Sequence, residues 1–151
     1  MKSLKFLCIA LIILSTLLLF GCSDGPYKFD QSTDQICKIE IVYLEEENAI
    51  DNYSLILEIE PDQYQEFISD FLEMEWYPLH PPGTDIAGLC IKFTYTNDEF
   101  ELVYNMGRYR SRTNSITANT HLETDVWRAF LRKYGVEWSG GYHGEIWSYI
   151  E

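Results

Sequence analysis

The chain has 151 residues, which is room for one domain of ordinary size. Its formal net charge is −13, and an acidic surface repels phosphates, so the sequence excludes DNA, RNA and anionic headgroups as expected partners. Aromatic residues make up 15% of the chain, which is too many for a disordered protein and favours a packed, sheet-rich domain.

The first 21 residues have the pattern of a removable export signal. Lys2 and Lys5 precede an apolar run, residues 7–20, that is shorter than the roughly 20 residues needed to cross a bilayer. The run ends in Leu19-Phe20-Gly21-Cys22: an aliphatic residue, a tolerant position, a small residue and a cysteine. This motif resembles the lipobox of bacterial lipoproteins, and the resemblance covers the first 22 residues.

The resemblance implies cleavage between Gly21 and Cys22 and a diacylglycerol on the Cys22 thiol. The mature protein would then be held on the extracytoplasmic face of the cell membrane, because several acyl chains together anchor stably. Without Lys2 and Lys5 it keeps nine basic and 24 acidic side chains, a net charge of −15. We therefore expect the protein to be held at the membrane by its lipid and not by contacts between its acidic surface and lipid headgroups.

Residues 22–35 are polar and contain Gly25 and Pro26, which predicts a flexible tether with a reach of at most about 45 Å. Residues 36–151 form the single predicted domain. It opens with two period-two stretches, residues 37–43 and 53–60, which predict two strands with one buried face. Their expected register pairs Ile41 with Leu55 and Ile39 with Leu57.

A helix is predicted next. Pro61 suits its first turn, and the stripe that follows at i, i+3, i+4 and i+7 is Tyr64, Phe67, Ile68 and Phe71. It should end near Met74, and residues 76–85, rich in Pro and Gly, are predicted to be a loop.

A second hairpin is predicted over residues 89–95 and 100–106, where apolar and polar residues alternate. An Asn97-Asp98 turn would pair Tyr95 with Phe100 and Phe93 with Leu102. Residues 108–119 are expected to supply one or two further strands.

The capping box from Thr120 to Glu123 predicts the start of a second helix, and Gly135 predicts its end. Its expected buried stripe is Val126, Trp127, Phe130, Leu131 and Tyr134. The aromatic tail, residues 136–151, is expected to pack back on the domain. The order ββα-ββ(β)α predicts an α+β fold, with an antiparallel sheet of four to five strands and both helices on one face.

Cys37 and Cys90 form an even pair, which permits a disulfide in an exported domain. However, Cys90 falls on the polar face of its predicted strand and Cys37 on the apolar face, and cysteines on opposite faces of a sheet cannot meet. Two buried free thiols are therefore the alternative to a disulfide.

Arg108, Arg110 and Arg112 occur at i, i+2 and i+4, so on a strand they project from one face. Arginine forks bind carboxylates, phosphates and sulfates, which makes these residues a candidate contact for an anion or a partner. The structural alternative is an edge strand kept soluble by charge.

Other patterns are less specific. His80, His121 and His143 have no partner at metal-ligand spacing, and the acidic loop from Glu45 to Asp51 lacks the order of a calcium loop, so no metal or cofactor is predicted. No catalytic nucleophile motif is present in the sequence. Aromatic residues around Trp76 and between Trp138 and Trp147 could form a platform for sugar or peptide.

These observations favour a non-enzymatic, lipid-anchored module that contacts a protein or a cell-wall component. A second hypothesis is an inhibitor or immunity-type protein that masks a cationic enzyme at the cell surface, which the net charge of −15 motivates. A third is a cell-wall or glycan hydrolase that uses two of the many carboxylates.

Overall fold

The structure, a computed structural model, describes residues 27–83, 86–138 and 146–149. Within these ranges lie two α-helices, α1 (Tyr64–Glu73) and α2 (Thr124–Lys133), and two short 3-10 helices, Thr33–Gln35 and Pro61–Gln63. The strands are β1 (Ile36–Leu44), β2 (Tyr53–Glu58), β3 (Tyr77–Gly83), β4 (Gly88–Tyr95), β5 (Phe100–Tyr104), β6 (Gly107–Arg110), β7 (Ser115–His121), β8 (Val136–Trp138) and β9 (Ile146–Tyr149).

Six strands form one antiparallel sheet in the order β2-β1-β4-β5-β6-β7, and β3 extends it by pairing with the second half of β7. The α+β class is as predicted, but four to five strands were too few. Residues 108–119 supply two strands, and the Pro-rich segment predicted to be a loop contains β3. Proline is tolerated there because β3 is an edge strand, which needs hydrogen-bond donors on one side only.

Both helices pack on one face of the sheet, over its main core. The predicted stripes of α1 and α2 contain Phe67, Phe71 and Trp127, which are fully buried. They belong to the same core cluster as strand residues such as Ile41 and Phe93. One stripe residue departs from this pattern, since Val126 points away from the core and is 39% exposed.

The opposite face of the sheet buries a second apolar cluster, so the expectation of a single apolar side is wrong. Val42, Leu44, Cys90 and Leu102 are fully or almost fully buried there. A bulge after Ile41 produces part of this arrangement. It places Leu57 opposite Ile41 and Leu55 opposite Val42, which corrects the predicted register of the first hairpin.

The β4–β5 turn has three residues, with the backbone N–H of Tyr95 donating to the carbonyl of Glu99. Asp98 takes a φ of 64° in this turn, which is the left-handed conformation that such hairpins require. The register therefore differs by one residue from the prediction. Thr94 pairs with Phe100, and Phe93 pairs with Glu101 instead of Leu102. Because a shift of one residue exchanges the faces, Glu101 lies on the core side.

The capping-box prediction is wrong, because Thr120 belongs to β7 and α2 begins at Thr124 without a side-chain cap. The predicted end is confirmed, since Gly135 has a φ of 88° and its N–H donates to the carbonyl of Arg132. The tail then packs back as expected over β8, where Trp138 is buried, and β8 pairs with β9.

Candidate functional site

The arginine pattern lies mostly on the helix-covered face of the sheet. Arg108 is opposite Val103 and Arg110 is opposite Glu101, so these two side chains share one face as predicted. Arg112 lies in the turn after β6 and is exposed. The three arginines therefore do not form one row on a strand.

Glu101 is a buried carboxylate, 1% exposed, among donors from three parts of the chain. The Tyr27 hydroxyl donates to Oε2 at 2.6 Å, and the Tyr95 hydroxyl and the backbone N–H of Asp30 both donate to Oε1. The Arg108 guanidinium lies 3.6 Å from Oε2. A charge in the core is tolerated only with such partners, because loss of its hydration is otherwise uncompensated.

The two tyrosines are held as donors to this carboxylate. Burial, and after it the negative charge of Glu101, raises the pKa of the Tyr27 hydroxyl well above its usual value. Burial and the hydrogen bond to Glu101 raise the pKa of Tyr95 as well. Both phenols therefore stay protonated over the physiological pH range and hold one hydrogen-bonding direction.

Residues 27–30, which we call the N-terminal latch, are fixed to the domain by this network. Tyr27 is 8% exposed and its ring lies 4.9 Å from that of Phe71 and 5.2 Å from that of Trp76. Arg108 donates to the carbonyl of Lys28 and stacks over the Tyr27 ring at 5.0 Å. The tether predicted over residues 22–35 therefore cannot extend past residue 26.

Arg110 reinforces the same contact, with its Nε 3.6 Å from a carboxylate oxygen of Asp30. Arg108 thus contacts the Glu101 carboxylate and the Lys28 carbonyl, and Arg110 contacts the Asp30 carboxylate. Both arginines therefore hold the latch on the sheet. These contacts are made within the protein and not with an external anion. The edge-strand alternative is nevertheless wrong, because β6 pairs with β5 on one side and with β7 on the other. Gly21 and Cys22, the predicted cleavage and lipidation residues, lie outside the described residues.

Cys37 and Cys90 are both free thiols, which corrects the possible disulfide. Cys90 is fully buried on the sheet face opposite the helices, and burial raises its pKa. Cys37 is exposed, so the alternative of two buried thiols is wrong as well. The bulge between Ile36 and Lys38 sets the position of Cys37 and was not visible in the alternation pattern.

The remaining sequence candidates do not assemble into a site. Trp76 and Trp138 are 6% and 3% exposed, so neither offers a platform for sugar or peptide. His121 lies beside the Tyr77 ring, whereas the side chains of His80, His143 and Trp147 lie outside the described part. Across residues 27–83, 86–138 and 146–149, no three His, Cys, Asp or Glu side chains converge as metal ligands.

A groove of about 380 Å³ lies between the end of α1, the start of β3 and the start of α2. We call it the acidic groove. Its walls carry the carboxylates Asp70, Glu73, Glu75 and Glu123 and the apolar side chains Tyr77 and Val126.

The four carboxylates of the acidic groove differ in their partners. Asp70 accepts hydrogen bonds from Lys133 and Tyr134; partial burial raises its pKa, but these bonds outweigh burial and lower it. Glu75 accepts a hydrogen bond from the Tyr77 hydroxyl at 2.7 Å. Glu73 and Glu123 are exposed and form no ion pair with a described residue. The groove is therefore negative after its internal contacts are counted.

The acidic groove also exposes apolar surface. Tyr77 is 42% exposed and Val126 is 39% exposed. They are two of the four large hydrophobic side chains that stand out as exposed in the described part of the chain. The sequence did not indicate this groove, because its residues come from three elements and carboxylates occur throughout the chain.

Comparison with protein-family models, with curated proteins and with solved structures finds no match to this chain. Among the described residues, no helix combines the length and the apolar character needed to cross a membrane.

We expect Tyr27→Phe to lower the free energy of unfolding by about 2 kcal/mol, because a buried hydrogen bond to a charged group is lost. Urea unfolding followed by tryptophan fluorescence measures the change. Tyr109→Phe is the matched control, since it removes only an exposed hydrogen bond to Asn114 and should cost less than about 0.5 kcal/mol. Equal losses in the two variants would contradict the role of the latch.

We expect a maleimide reagent to label Cys37 in the folded protein and Cys90 only after denaturation, because the Cys90 thiol is buried and its pKa is raised. Peptide mapping by mass spectrometry assigns the labelled residue. Labelling that appears only after reduction would instead show a disulfide.

Proposed function

We propose that the chain is a non-enzymatic bacterial lipoprotein, anchored through lipid on Cys22, that binds a protein or cell-wall partner at the extracytoplasmic face of the membrane. One observation carries the proposal. Tyr27 follows the lipobox cysteine by five residues and is buried in the core of the domain. The lipid and the folded domain are therefore joined by a very short connection.

The length of this connection supports a place of action close to the bilayer. Five extended residues reach at most about 18 Å, compared with about 45 Å for the tether expected from the sequence. The domain would be held against the bilayer. It would therefore bind its partner at the membrane surface and not at a distance from the membrane.

The second hypothesis, an inhibitor or immunity-type protein that masks a cationic enzyme, is supported by the acidic groove. Glu73 and Glu123 form no ion pair with a described residue, and Tyr77 and Val126 are exposed. Together they give a surface of mixed charge and apolar character, which is typical of protein contacts. A hydrolase has weaker support. It needs a carboxyl group held protonated by burial, and Glu73, Glu75 and Glu123 are exposed.

We expect Cys22→Ser to leave the signal uncleaved or to release the protein from the membrane fraction, because the acceptor thiol is absent. Mass spectrometry of the intact protein reads cleavage and lipid mass together, and fractionation reads membrane retention. Cys37→Ser is the matched control and should leave both unchanged. Normal processing and retention of the Cys22→Ser variant would refute the anchor.

A further inference from the structure

We propose that the acidic groove binds a cationic polypeptide segment in which Lys or Arg stands next to an aromatic or aliphatic residue. The inference rests on the proposed binding function and deepens it by naming the surface and the chemistry of the partner. Three independent features of the groove carry it: its exposed apolar side chains, its uncompensated carboxylates and its place beside the latch.

The apolar side chains show that the occupant is not a simple ion. Tyr77 and Val126 are well exposed, although α2 otherwise turns its apolar stripe into the core. These two side chains line one groove and leave apolar surface in water, and a bound apolar side chain would remove that surface from solvent. The occupant therefore has an apolar part.

The carboxylates define the polar part of the occupant. Asp70 pairs with Lys133, whereas Glu73, Glu75 and Glu123 have no cation among the described residues. Glu75 accepts a hydrogen bond from Tyr77. These groups line the walls without converging as metal ligands within the described chain. Carboxylates that do not converge can each meet a different part of an extended cationic segment. A guanidinium also pairs with carboxylates through its fork and stacks on an aromatic ring such as Tyr77.

The position of the groove limits the source of the polypeptide. The latch residue Tyr27 packs on Phe71 and Trp76, the neighbours of Asp70, Glu75 and Tyr77 along the chain. The groove is therefore next to the point where the chain leaves toward its lipid. Its occupant is accordingly a segment of a protein or peptide that lies at the bilayer surface, where cationic amphipathic segments also collect.

The test uses the full lipidated chain in neutral detergent micelles and a synthetic peptide of alternating Arg and Trp, labelled for fluorescence anisotropy. We expect Glu73→Gln combined with Glu123→Gln to raise Kd at least about tenfold, which corresponds to about 1.4 kcal/mol. The matched control, Glu45→Gln combined with Glu46→Gln, removes the same charge from the exposed β1–β2 loop. It should change Kd by less than about twofold, because exposed charges at a distance are screened.

A second pair of measurements tests the apolar part. Val126→Ser, or a peptide with Ala in place of Trp at unchanged charge, should weaken binding severalfold. Equal losses in the two double variants would overturn the proposal, because the peptide would then be sensing net charge alone. Absence of binding, stoichiometric displacement of the peptide by Ca²⁺, or a dimer that occupies the groove would overturn it as well. Binding of the peptide to the groove does not require the lipid. The Cys22→Ser experiment therefore tests the lipid anchor separately from the peptide assay, which tests the groove.

Discussion

The buried carboxylate of Glu101 is the constraint on which the arrangement of this protein depends. It lies in the core only because Tyr27, Tyr95, Arg108 and the backbone of Asp30 satisfy it. Removal of any of these partners leaves a charge in the core without full compensation, which is costly. The network therefore makes the segment before β1 an obligatory part of the fold instead of a free leader.

The position of Glu101 depends in turn on the three-residue turn between β4 and β5. With Asp98 in the left-handed conformation, Phe93 pairs with Glu101, and the carboxylate enters the helix-covered face. The same register sends Leu102 to the other face, where it joins Val42 and Cys90. One turn thus places both the buried charge of Glu101 and Leu102, one member of the second apolar cluster.

The sequence predicts the parts of this fold that follow from periodicity: the α+β class, the helix stripes apart from Val126, and the β1–β2 and β4–β5 hairpins. It does not predict register, because the bulge after Ile41 and the turn at Asp98 depend on tertiary packing. β3 was hidden by its prolines, which only an edge strand tolerates. The arginine pattern is visible in the sequence, but the predicted pairing of Phe93 with Leu102 puts Glu101, the partner of Arg108, on the polar face. The acidic groove is not visible, because its residues come from separate elements and follow no regular spacing along the chain.

Together these features describe an acidic domain whose first residues are locked beside its groove, so a lipid on Cys22 would hold that groove near the bilayer. The most direct test of the latch is amide hydrogen exchange at Asp30 in the full chain, measured residue by residue. We predict that the Asp30 amide, which donates to Glu101, exchanges as slowly as amides within β5. Exchange at the rate of an unstructured peptide would contradict it.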